Sequence, residues 1–211
     1  FRSHVLTRAT DAGGYYVNQA QTLTITAANV APVITSGTSA SVAENTATST
    51  VVYTATATDA ESDTLTYTLT GTDAASFAID ATSGQVKLLA PADYETQSSY
   101  SIIVNAKDAT HTTTQALTVN VTDVNEAPTI TSGASASVAE NAATSTVIYT
   151  AAASDPESDA LTYALTGTDA ASFSINATTG QVRLLTPADY ETKNSYSLNI
   201  IAADATSHTS S

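Results

Sequence analysis

The nine residues from Leu69 to Phe77, LTGTDAASF, occur again letter for letter from Leu165 to Phe173. The same offset of 96 residues carries Pro91 to Thr96, PADYET, onto Pro187 to Thr192. Self-similarity at one fixed period indicates a tandem array of a single structural unit. The chain of 211 residues is therefore predicted to hold small repeated domains rather than one large domain.

The composition is acidic and free of cysteine, methionine and tryptophan. A formal charge of -14, with only six basic residues, argues against binding to nucleic acid or to anionic membranes. No apolar run is long enough to cross a bilayer. Without cysteine, neither disulfides nor thiolate metal sites can stiffen the domains, so packing or oxygen ligands must do so. Without a starting methionine, the chain is interpreted as a piece of something longer.

Strands are predicted wherever apolar residues alternate with small polar ones. Seven short strands in about 100 residues are typical of an immunoglobulin-like Greek-key sandwich, and little or no helix is expected. Between the fourth and fifth strands, Asp80 to Gly84 predicts a hairpin turn in which the glycine takes a positive φ. The seven strands of one complete repeat are predicted near residues 39–43, 51–57, 65–69, 77–79, 86–89, 100–106 and 117–121.

The phase of the repeat divides the chain into three parts. Residues 1–31 are predicted to be the last two strands of a preceding repeat, at Val5 to Ala9 and Gln21 to Ala27. Residues 32–127 form one complete repeat. Residues 128–211 form a further repeat that lacks the last strand, which Gln115 to Thr122 supplies in the complete copy. A repeat without that strand has an exposed sheet edge.

Six acidic residues recur at the same offset, and the linker from Asp123 to Pro128, DVNEAP, adds further oxygen donors where one repeat meets the next. Carboxylates gathered at one place repel one another unless a cation neutralises them. The six recurring positions are Glu44, Asp59, Glu61, Asp93, Glu95 and Asp108, repeated as Glu140, Asp155, Glu157, Asp189, Glu191 and Asp204.

Five spaced motifs occur in one order: Ala43-Glu44-Asn45, Asp59-Ala60-Glu61, Asp93-Tyr94-Glu95, Ala106-Lys107-Asp108 and the linker Asp123 to Pro128. They resemble the motifs of cadherin repeats, in the form found in large bacterial surface proteins, and the resemblance covers nearly the whole chain. It implies all-β, cadherin-type sandwiches in tandem, in an extracellular cell-adhesion protein, with a cluster of calcium ions at each junction.

The resemblance also implies which residues bind calcium. The complete repeat, the linker and the following repeat would share one junction, with the ligands Glu44, Asp93, Glu95, Asp123, Asn125, Glu126, Asp155, Glu157 and Asp204. Matching motifs assign Asp59, Glu61 and Asp108 to the earlier junction and Glu140, Asp189 and Glu191 to the later one. Asp63 and Asp159 are either additional ligands or turn residues.

The chemistry of the donors agrees with calcium independently of the resemblance. Calcium takes six to eight oxygen ligands in flexible geometry, whereas zinc would require histidine or cysteine. Without metal, the repulsion between the carboxylates is expected to splay the junction. The linker is one residue shorter after Glu126 than the commonest animal form, so the number of ions at the junction is left open.

The earlier junction has a poorer set of donors. Ala27-Ala28-Asn29-Val30-Ala31-Pro32 stands where the acidic linker stands later, so Ala27 and Val30 replace two acidic residues. Asn29 is the one matching donor. The sequence predicts a weaker or partly occupied site at this junction, and a more flexible joint.

No pattern predicts an enzyme. His111 and His208 are not kept between the copies, so no positioned base exists for a Ser/His/Asp mechanism. Paired carboxylates can hydrolyse glycosides, but here no aromatic platform accompanies them. The chain is predicted not to be an enzyme.

The leading functional hypothesis is a calcium-stiffened spacer or stalk of a bacterial cell-surface adhesin or extracellular fibre, since millimolar calcium saturates extracellular modules. One alternative is a filament subunit that polymerises by intermolecular strand complementation, with Gln21 to Ala27 as donor. Another is a repeat that binds glycan or protein through Tyr15 and Tyr16. The expected partners are neighbouring repeats of the same chain and, for a fibre, identical subunits.

Overall fold

The computed structural model describes residues 2–206 and 209–210, and the side chains of residues 7–206. Phe1, His208 and Ser211, on which parts of the sequence interpretation fall, lie outside the described residues. Within the described range the regular structure is all-β apart from two single 3-10 turns, Ala74–Ser76 and Ala170–Ser172. The prediction of an all-β chain is confirmed.

The chain folds into two compact units whose boundary does not follow the sequence repeat. The first unit comprises Phe1–Ser41, Ala47–Ala90 and Tyr100–Asn120, and the second comprises Val42–Thr46, Pro91–Ser99 and Val121–Ser211. Two loops of the first sequence repeat, around Glu44 and around Glu95, therefore belong to the second unit. The acidic residues of these loops lie in the same unit as the linker.

The described residues up to Thr122 contain most of the strands that the alternating pattern predicts, together with several shorter strands. Their order is β1 (Arg2–Thr10), β2 (Tyr16–Thr24), β3 (Val33–Ile34), β4 (Ser39–Ala43), β5 (Tyr53–Thr54), β6 (Ala57–Thr58), β7 (Thr66–Thr70), β8 (Phe77–Ile79), β9 (Gln85–Leu88), β10 (Ser99–Lys107) and β11 (Thr112–Thr122).

Strands β4, β11, β10 and β7 form one sheet in that order, and β5, β9 and β8 form a second sheet. Two small pairs, β1 with β2 and β3 with β6, complete this part of the chain. Non-consecutive neighbours within a sheet are characteristic of Greek-key sandwiches.

The second sequence repeat contains corresponding sheets, but its counterparts of β10 and β11 are shorter, and residues 135–139, which match β4, are not in a strand. Its strands are β12 (Thr129–Ile130), β13 (Tyr149–Thr150), β14 (Ala153–Ser154), β15 (Thr162–Thr166), β16 (Phe173–Ile175), β17 (Gln181–Leu184), β18 (Asn199–Ala203) and β19 (Thr209–Ser210). One sheet has the order β15, β18, β19, another the order β13, β17, β16, and β12 pairs with β14.

Alternate residues of the long strands build the core of the first repeat. Ile102, Val104 and Ala106 of β10 are fully buried, as the period of two in a strand requires. Phe77 packs edge to face against Tyr100, with the ring centroids 5.2 Å apart, and the second repeat preserves this pair at 5.3 Å. Each large apolar side chain buried in this way contributes about 1.5–3 kcal/mol.

The hairpin predicted at Asp80 to Gly84 is confirmed, because β8 and β9 pair antiparallel with Ile79 opposite Val86. The Asp80 carboxylate accepts hydrogen bonds from the main-chain N–H of Thr82 and of Ser83, at 3.0 and 2.7 Å. Gly84 has a φ of 69°, in the region that favours glycine.

The prediction of one continuous strand over residues 51–57 is wrong. The segment divides into β5, which pairs with β9, and β6, which pairs with β3 in another sheet. Ala55 lies between the two pieces, is 1% exposed and donates its N–H to the carbonyl oxygen of Gly84 at 2.9 Å. The chain therefore passes from one sheet to the other at Ala55, and alternation along the segment cannot continue.

The strand predicted at Val5 to Ala9 lies within β1, but the next strand is Tyr16–Thr24 rather than Gln21 to Ala27. The tight turn that begins at Asp11 explains the difference. The Asp11 N–H donates to the Tyr15 carbonyl oxygen at 2.9 Å, and Thr10 then stands opposite Tyr16. Pairing starts at once after the turn, so the strand begins five residues earlier than the alternation suggests.

One strand of the first repeat has no counterpart in the second. Residues 135–139, which match β4, are not in a strand, while β18 pairs with β15 and with the two residues of β19. In the first repeat β11 lies between β4 and β10. A strand needs a neighbour to pair with, which residues 135–139 lack in the described part of the second repeat.

Candidate metal centre

Four carboxylates converge within the second unit. One oxygen each from Glu44, Glu95, Asp123 and Glu157 lies within 4.8 Å of the others. Glu44 and Asp123 directly follow β4 and β11, Glu95 lies in the loop between β9 and β10, and Glu157 lies in the turn after β14. The ends of separate strands and their loops thus bring together acids that are far apart in the sequence.

Glu44 holds this arrangement together. It is 3% exposed, and its two carboxylate oxygens accept main-chain N–H groups of Val124 at 2.7 Å and Tyr94 at 2.8 Å. One carboxylate therefore fixes both the linker and the loop that carries Glu95.

Glu126 and Glu157 lie against each other. A hydrogen bond between their carboxyls, together with burial, raises the pKa of Glu126 to about 7, while the same hydrogen bond lowers the pKa of Glu157. Oε2 of Glu126 and Oε1 of Glu157 are buried without a hydrogen-bond donor. The two side chains can share one proton, or a cation can take its place.

Asp155, Asn125 and Asp204 extend the oxygen-rich region. Asp155 accepts the N–H of Asp159 at 3.0 Å with Oδ1, while its Oδ2 is buried without a donor. The Asn125 amide donates to Oδ2 of the buried Asp204 at 2.7 Å. The linker and the turns of the second repeat are joined by these contacts.

The negative charges disfavour one another. Loss of hydration raises the pKa of Asp123, and the charges of Glu157 and Glu44 raise it further. The pKa of Glu95 is raised mainly by the same loss of hydration, with Glu44, Glu157 and Asp123 adding to the effect. Among the described side chains, the ion pairs do not involve any of these acids.

Asp93 is not one of the four convergent acids. Its carboxylate accepts the N–H and the hydroxyl of Thr96 at 2.9 and 2.8 Å, and the N–H of Thr96 lowers its pKa. Asp63 and Asp159 donate main-chain N–H groups to Asp59 and Asp155, both at 3.0 Å. These contacts involve only the main chain of Asp63 and Asp159, so both interpretations of their carboxylates stay predictions.

The earlier set of predicted ligands lies in the first unit. Oδ2 of Asp59 is buried without a donor, and Glu61 accepts the N–H of Val30 at 3.1 Å. The Asn29 amide donates to Asp108 at 3.0 Å and to Thr110 at 2.6 Å. Asp59, Glu61 and Asp108 do not form a convergent group like that around Glu44.

The Asp108 carboxylate already accepts several hydrogen bonds within the protein. Its side chain accepts the N–H groups of His111 and Thr110 at 2.5 and 2.6 Å, and these bonds, that of His111 above all, lower its pKa to about 2. The His111 ring lies within 3.7 Å of the carboxylate and 3.0 Å of the Asn29 amide. This polar network holds Asn29 without any acid from its own linker.

The third set, Glu140, Asp189 and Glu191, again has carboxylate oxygens within 4.8 Å of one another. All three side chains are exposed, and Asp189 accepts the hydroxyl of Thr192 at 2.8 Å. Exposed acids of this kind are common without a bound ion.

The four convergent acids, Glu44, Glu95, Asp123 and Glu157, together with the neighbouring linker and turn residues, form the group around Glu44, which fits a hard divalent cation. All the side-chain ligands that it offers are oxygens, and some of the buried ones lack hydrogen-bond donors. Such a set suits calcium, which needs many flexible oxygen ligands, and not zinc, which prefers histidine and cysteine.

Sequence reasoning did not assign a role to Asn45. Its amide hydrogen-bonds the Glu126 carboxylate, and its φ of 56° is repeated by a φ of 60° at Asn141. The available signal was the recurrence of Glu44-Asn45 as Glu140-Asn141, since asparagine tolerates this left-handed conformation.

Comparison with known proteins identifies the class. The family model described as Cadherin domain matches residues 38–122 and 134–211, and the chain belongs to this family. Human Protocadherin Fat 4 is 36% identical over 137 residues, which is 61% of this chain and 3% of that protein. Human Protocadherin Fat 1 is 32% identical over 216 aligned positions, 95% of this chain and 5% of that protein. The chain thus spans only a small part of these relatives.

Solved structures give the same fold. Human Protocadherin-24 EC1-2 superposes with a TM-score of 0.66 at 26% identity, covering 83% of this chain and 87% of that one. Drosophila N-cadherin EC1-4 superposes with a TM-score of 0.63 at 22% identity, covering all of this chain and 56% of that one. Both neighbours contain tandem cadherin domains, which confirms the predicted tandem fold.

Cadherin domains share a role, a metal and a location as well as a fold. Cadherin domains are structural and adhesive modules that bind calcium between repeats, in extracellular parts of cell-surface proteins. These relatives are animal proteins and give no support to a bacterial origin. None of the helical segments in the described part of the chain has the length and apolar character needed to cross a membrane.

Proposed function

We propose that this chain is a segment of an extracellular spacer in which calcium, bound by the group around Glu44, stiffens the connection between consecutive repeats. The ligands come from Glu44, Glu95, Asp123, Asn125, Glu126, Asp155, Glu157 and Asp204. Asp93, which is not one of the four convergent acids, is assigned to the same junction by its sequence motif. The main support is one observation: four carboxylates from two sequence repeats and their linker converge within 4.8 Å.

Buried carboxylate oxygens without hydrogen-bond donors give the chemical reason for the proposal. Oε2 of Glu126, Oδ2 of Asp155 and Oε1 of Glu157 are buried without donors, and such atoms are costly unless a partner satisfies them. A calcium ion would satisfy several of them at once and neutralise the charges that raise the pKa of Asp123 and Glu95. The linker would then be held to both repeats through the metal.

The affinity expected for extracellular modules is about 10⁻⁴ to 10⁻³ M. Calcium outside a cell would fill such a site, and calcium at cytosolic levels would leave it empty. The proposal therefore ties the mechanical state of the chain to its location outside the cell.

The set in the first unit would bind calcium more weakly. Ala27 and Val30 supply no side-chain oxygen, and the Asn29 amide is engaged by Asp108, Thr110 and His111. The contrast between the two linkers predicts sites of unequal affinity in one chain. Glu140, Asp189 and Glu191 are assigned to a third junction only by the repeat offset.

Calorimetric titration of the 211-residue protein with calcium at neutral pH tests the assignment. Asp123→Asn should reduce the affinity of the strongest site at least tenfold, because the variant loses a carboxylate ligand. Asp80→Asn is the matched control: it removes the same charge elsewhere, and the second repeat has asparagine at that position, Asn176. The control should leave the affinity unchanged.

An unchanged affinity in Asp123→Asn, or equal losses in both variants, would reject the ligand set in favour of a general effect of net charge. The bacterial setting and the fibre of identical subunits are not included in this proposal, because the comparisons do not support them. The absence of enzymatic activity stays a prediction.

A further inference from the structure

Asn45 directly follows Glu44 in the chain, and both residues lie just beyond β4, which ends at Ala43. In an extended strand, two successive side chains point to opposite faces. Here both side chains reach the linker. Glu44 accepts the N–H of Val124 at 2.7 Å, and the Asn45 amide donates to the Glu126 carboxylate. The two residues therefore hold the linker at two positions that are two residues apart.

A left-handed backbone at Asn45 makes this double contact possible. Its φ is 56°, in a region that asparagine enters more readily than most residues. The Asn45 N–H donates to the carbonyl oxygen of Ala92 at 2.9 Å, which fixes the backbone at this point. Because the chain leaves the extended conformation here, the side chains of Glu44 and Asn45 can face the same segment. Conformations of this kind persist where surrounding contacts impose them, and they are frequent at binding sites.

The Asn45 amide engages one oxygen of the Glu126 carboxylate. Oε1 accepts the amide, whereas Oε2 is buried without a hydrogen-bond donor. The same carboxylate lies against Glu157, whose Oε1 is also buried without a donor. An asparagine amide is neutral, so it can fix the direction of a carboxylate without cancelling its charge. The charge of Glu126 stays available to a cation.

The main chain of Glu126 does not set the direction of its side chain. The Glu126 N–H lies 3.4 Å from Oε2 of Glu157, and its carbonyl oxygen accepts the Asn125 amide at 3.1 Å. These are long contacts compared with the 2.7 Å bond that holds the Val124 N–H. A glutamate side chain has several rotatable bonds, and ordering it costs conformational entropy. The hydrogen bond from Asn45 meets that cost before any ion is bound.

We propose that Asn45 is a positioning residue of the group around Glu44: it holds the Glu126 carboxylate so that Oε2 faces the other ligands. This inference rests on the proposed function, in which Glu126 binds calcium. Asn45 acts through Glu126 and is not itself a ligand. Residues that hydrogen-bond a metal ligand from behind orient it, and their loss typically lowers metal affinity about 10-fold to 100-fold.

Calorimetric titration of Asn45→Gly with calcium at neutral pH tests the role of the amide. Glycine adopts a positive φ without strain, so the variant keeps the backbone and loses only the side chain. The affinity of the strongest site should fall about tenfold, while the Tm without calcium stays close to that of the wild type. Asn141→Gly is the matched control, because Asn141 has a φ of 60° in the second repeat. The control should keep the wild-type affinity.

A double-mutant cycle tests whether Asn45 acts through Glu126. Glu126→Ala removes a proposed ligand and should itself weaken calcium binding. Asn45→Gly should cause no further loss of affinity in the Glu126→Ala background, since no carboxylate is left there to orient. Such non-additivity is the expected sign of two residues that act as one unit.

Nuclear magnetic resonance of the calcium-free protein gives a readout that does not depend on the metal. The side-chain amide signals of Asn45 should shift in Glu126→Ala, because the hydrogen bond to the carboxylate is lost. The corresponding signals of Asn141 should stay where they are in the wild type. The contact is thereby measured separately from calcium binding.

Wild-type affinity in Asn45→Gly overturns the inference. A loss of the same size in the Glu126→Ala background or in Asn141→Gly overturns it as well, because Asn45 then acts through its backbone or not through Glu126. Unchanged Asn45 amide signals in Glu126→Ala would show that the contact is absent in solution. Failure of the proposed function is distinguishable, since Asp123→Asn would then also keep the wild-type affinity.

Discussion

At the scale of single residues, the two repeats provide a natural comparison at the turn after β8. Asp80 of the first repeat is replaced by Asn176 in the second. Asp80 accepts the Ser83 N–H at 2.7 Å, and Asn176 accepts the Thr179 N–H at 2.9 Å. Either side chain can close the turn, but only the carboxylate titrates.

Asp80→Asn should therefore change the pH dependence of stability more than stability itself. The N–H of Ser83, then its hydroxyl and the N–H of Thr82, lower the pKa of Asp80 from 3.8. The stabilisation from Asp80 is present above pH 3.8, the unfolded value, and is lost as the pH falls through the lower folded value. An asparagine side chain does not titrate, so it keeps its hydrogen bonds over the whole pH range.

Thermal unfolding of the two proteins, followed by circular dichroism between pH 2 and 7, measures this difference. The Tm values should be similar at pH 7. Below about pH 3.8 the wild type should lose stability relative to the variant. Parallel Tm curves over the whole range would show that the turn does not depend on the ionised carboxylate.

At the scale of elements, the β8 to β9 hairpin also determines where the neighbouring strand breaks. Gly84 has a positive φ, and a Cβ at this position would overlap the Ala55 carbonyl oxygen. Gly180 has the same conformation against Ala151. The close contact between the backbones of Gly84 and Ala55 marks the point at which the chain leaves the sheet of β5 and enters that of β6.

Gly84→Ala should destabilise the first unit by about 1–3 kcal/mol, because alanine adds strain at a positive φ as well as the overlap. The free energy of unfolding in urea measures the loss. Gly37→Ala is the matched control, since a Cβ added at Gly37 would lie 4.0 Å from the Ser39 carbonyl oxygen, which is an ordinary contact distance. Equal stability in the two variants would argue against the proposed contact between Gly84 and Ala55.

At the scale of the whole molecule, the negative charge and its distribution govern the proposed mechanism. The chain has a formal charge of -14, and part of that charge converges around Glu44. A calcium ion adds two positive charges at the place where repulsion is concentrated. Removing it should release the linker, because no basic side chain is paired with these acids among the described residues.

Small-angle X-ray scattering with calcium and with a chelator tests the stiffening. Chelation should broaden the distribution of interatomic distances, since the linker gains conformational freedom. In calcium, Asp123→Asn should resemble the chelated wild type, and Asp80→Asn should resemble the calcium-loaded wild type. Scattering curves that do not change with calcium would contradict a mechanical role for the metal.

The sequence alone predicted the repeated all-β fold, because the alternation of apolar residues and the 96-residue repeat can both be seen in the linear sequence. It also identified the acids that form the group around Glu44, since Glu44, Glu95 and Glu157 recur with the repeat and Asp123 lies in the acidic linker. It could not predict that the strand over residues 51–57 divides at Ala55, because that break depends on the backbone of Gly84, about 30 residues away.

What the sequence by itself determined is therefore the type of unit, its repetition and the surplus of carboxylates near the linker. Only the tertiary structure decided which oxygens meet, which of them lack donors, and that Asn45 contacts Glu126. The physical reason is that the alternation of apolar residues and the composition depend only on residues close together in the sequence. A ligand geometry depends instead on loops from different strands that approach one another only after the sheets have packed.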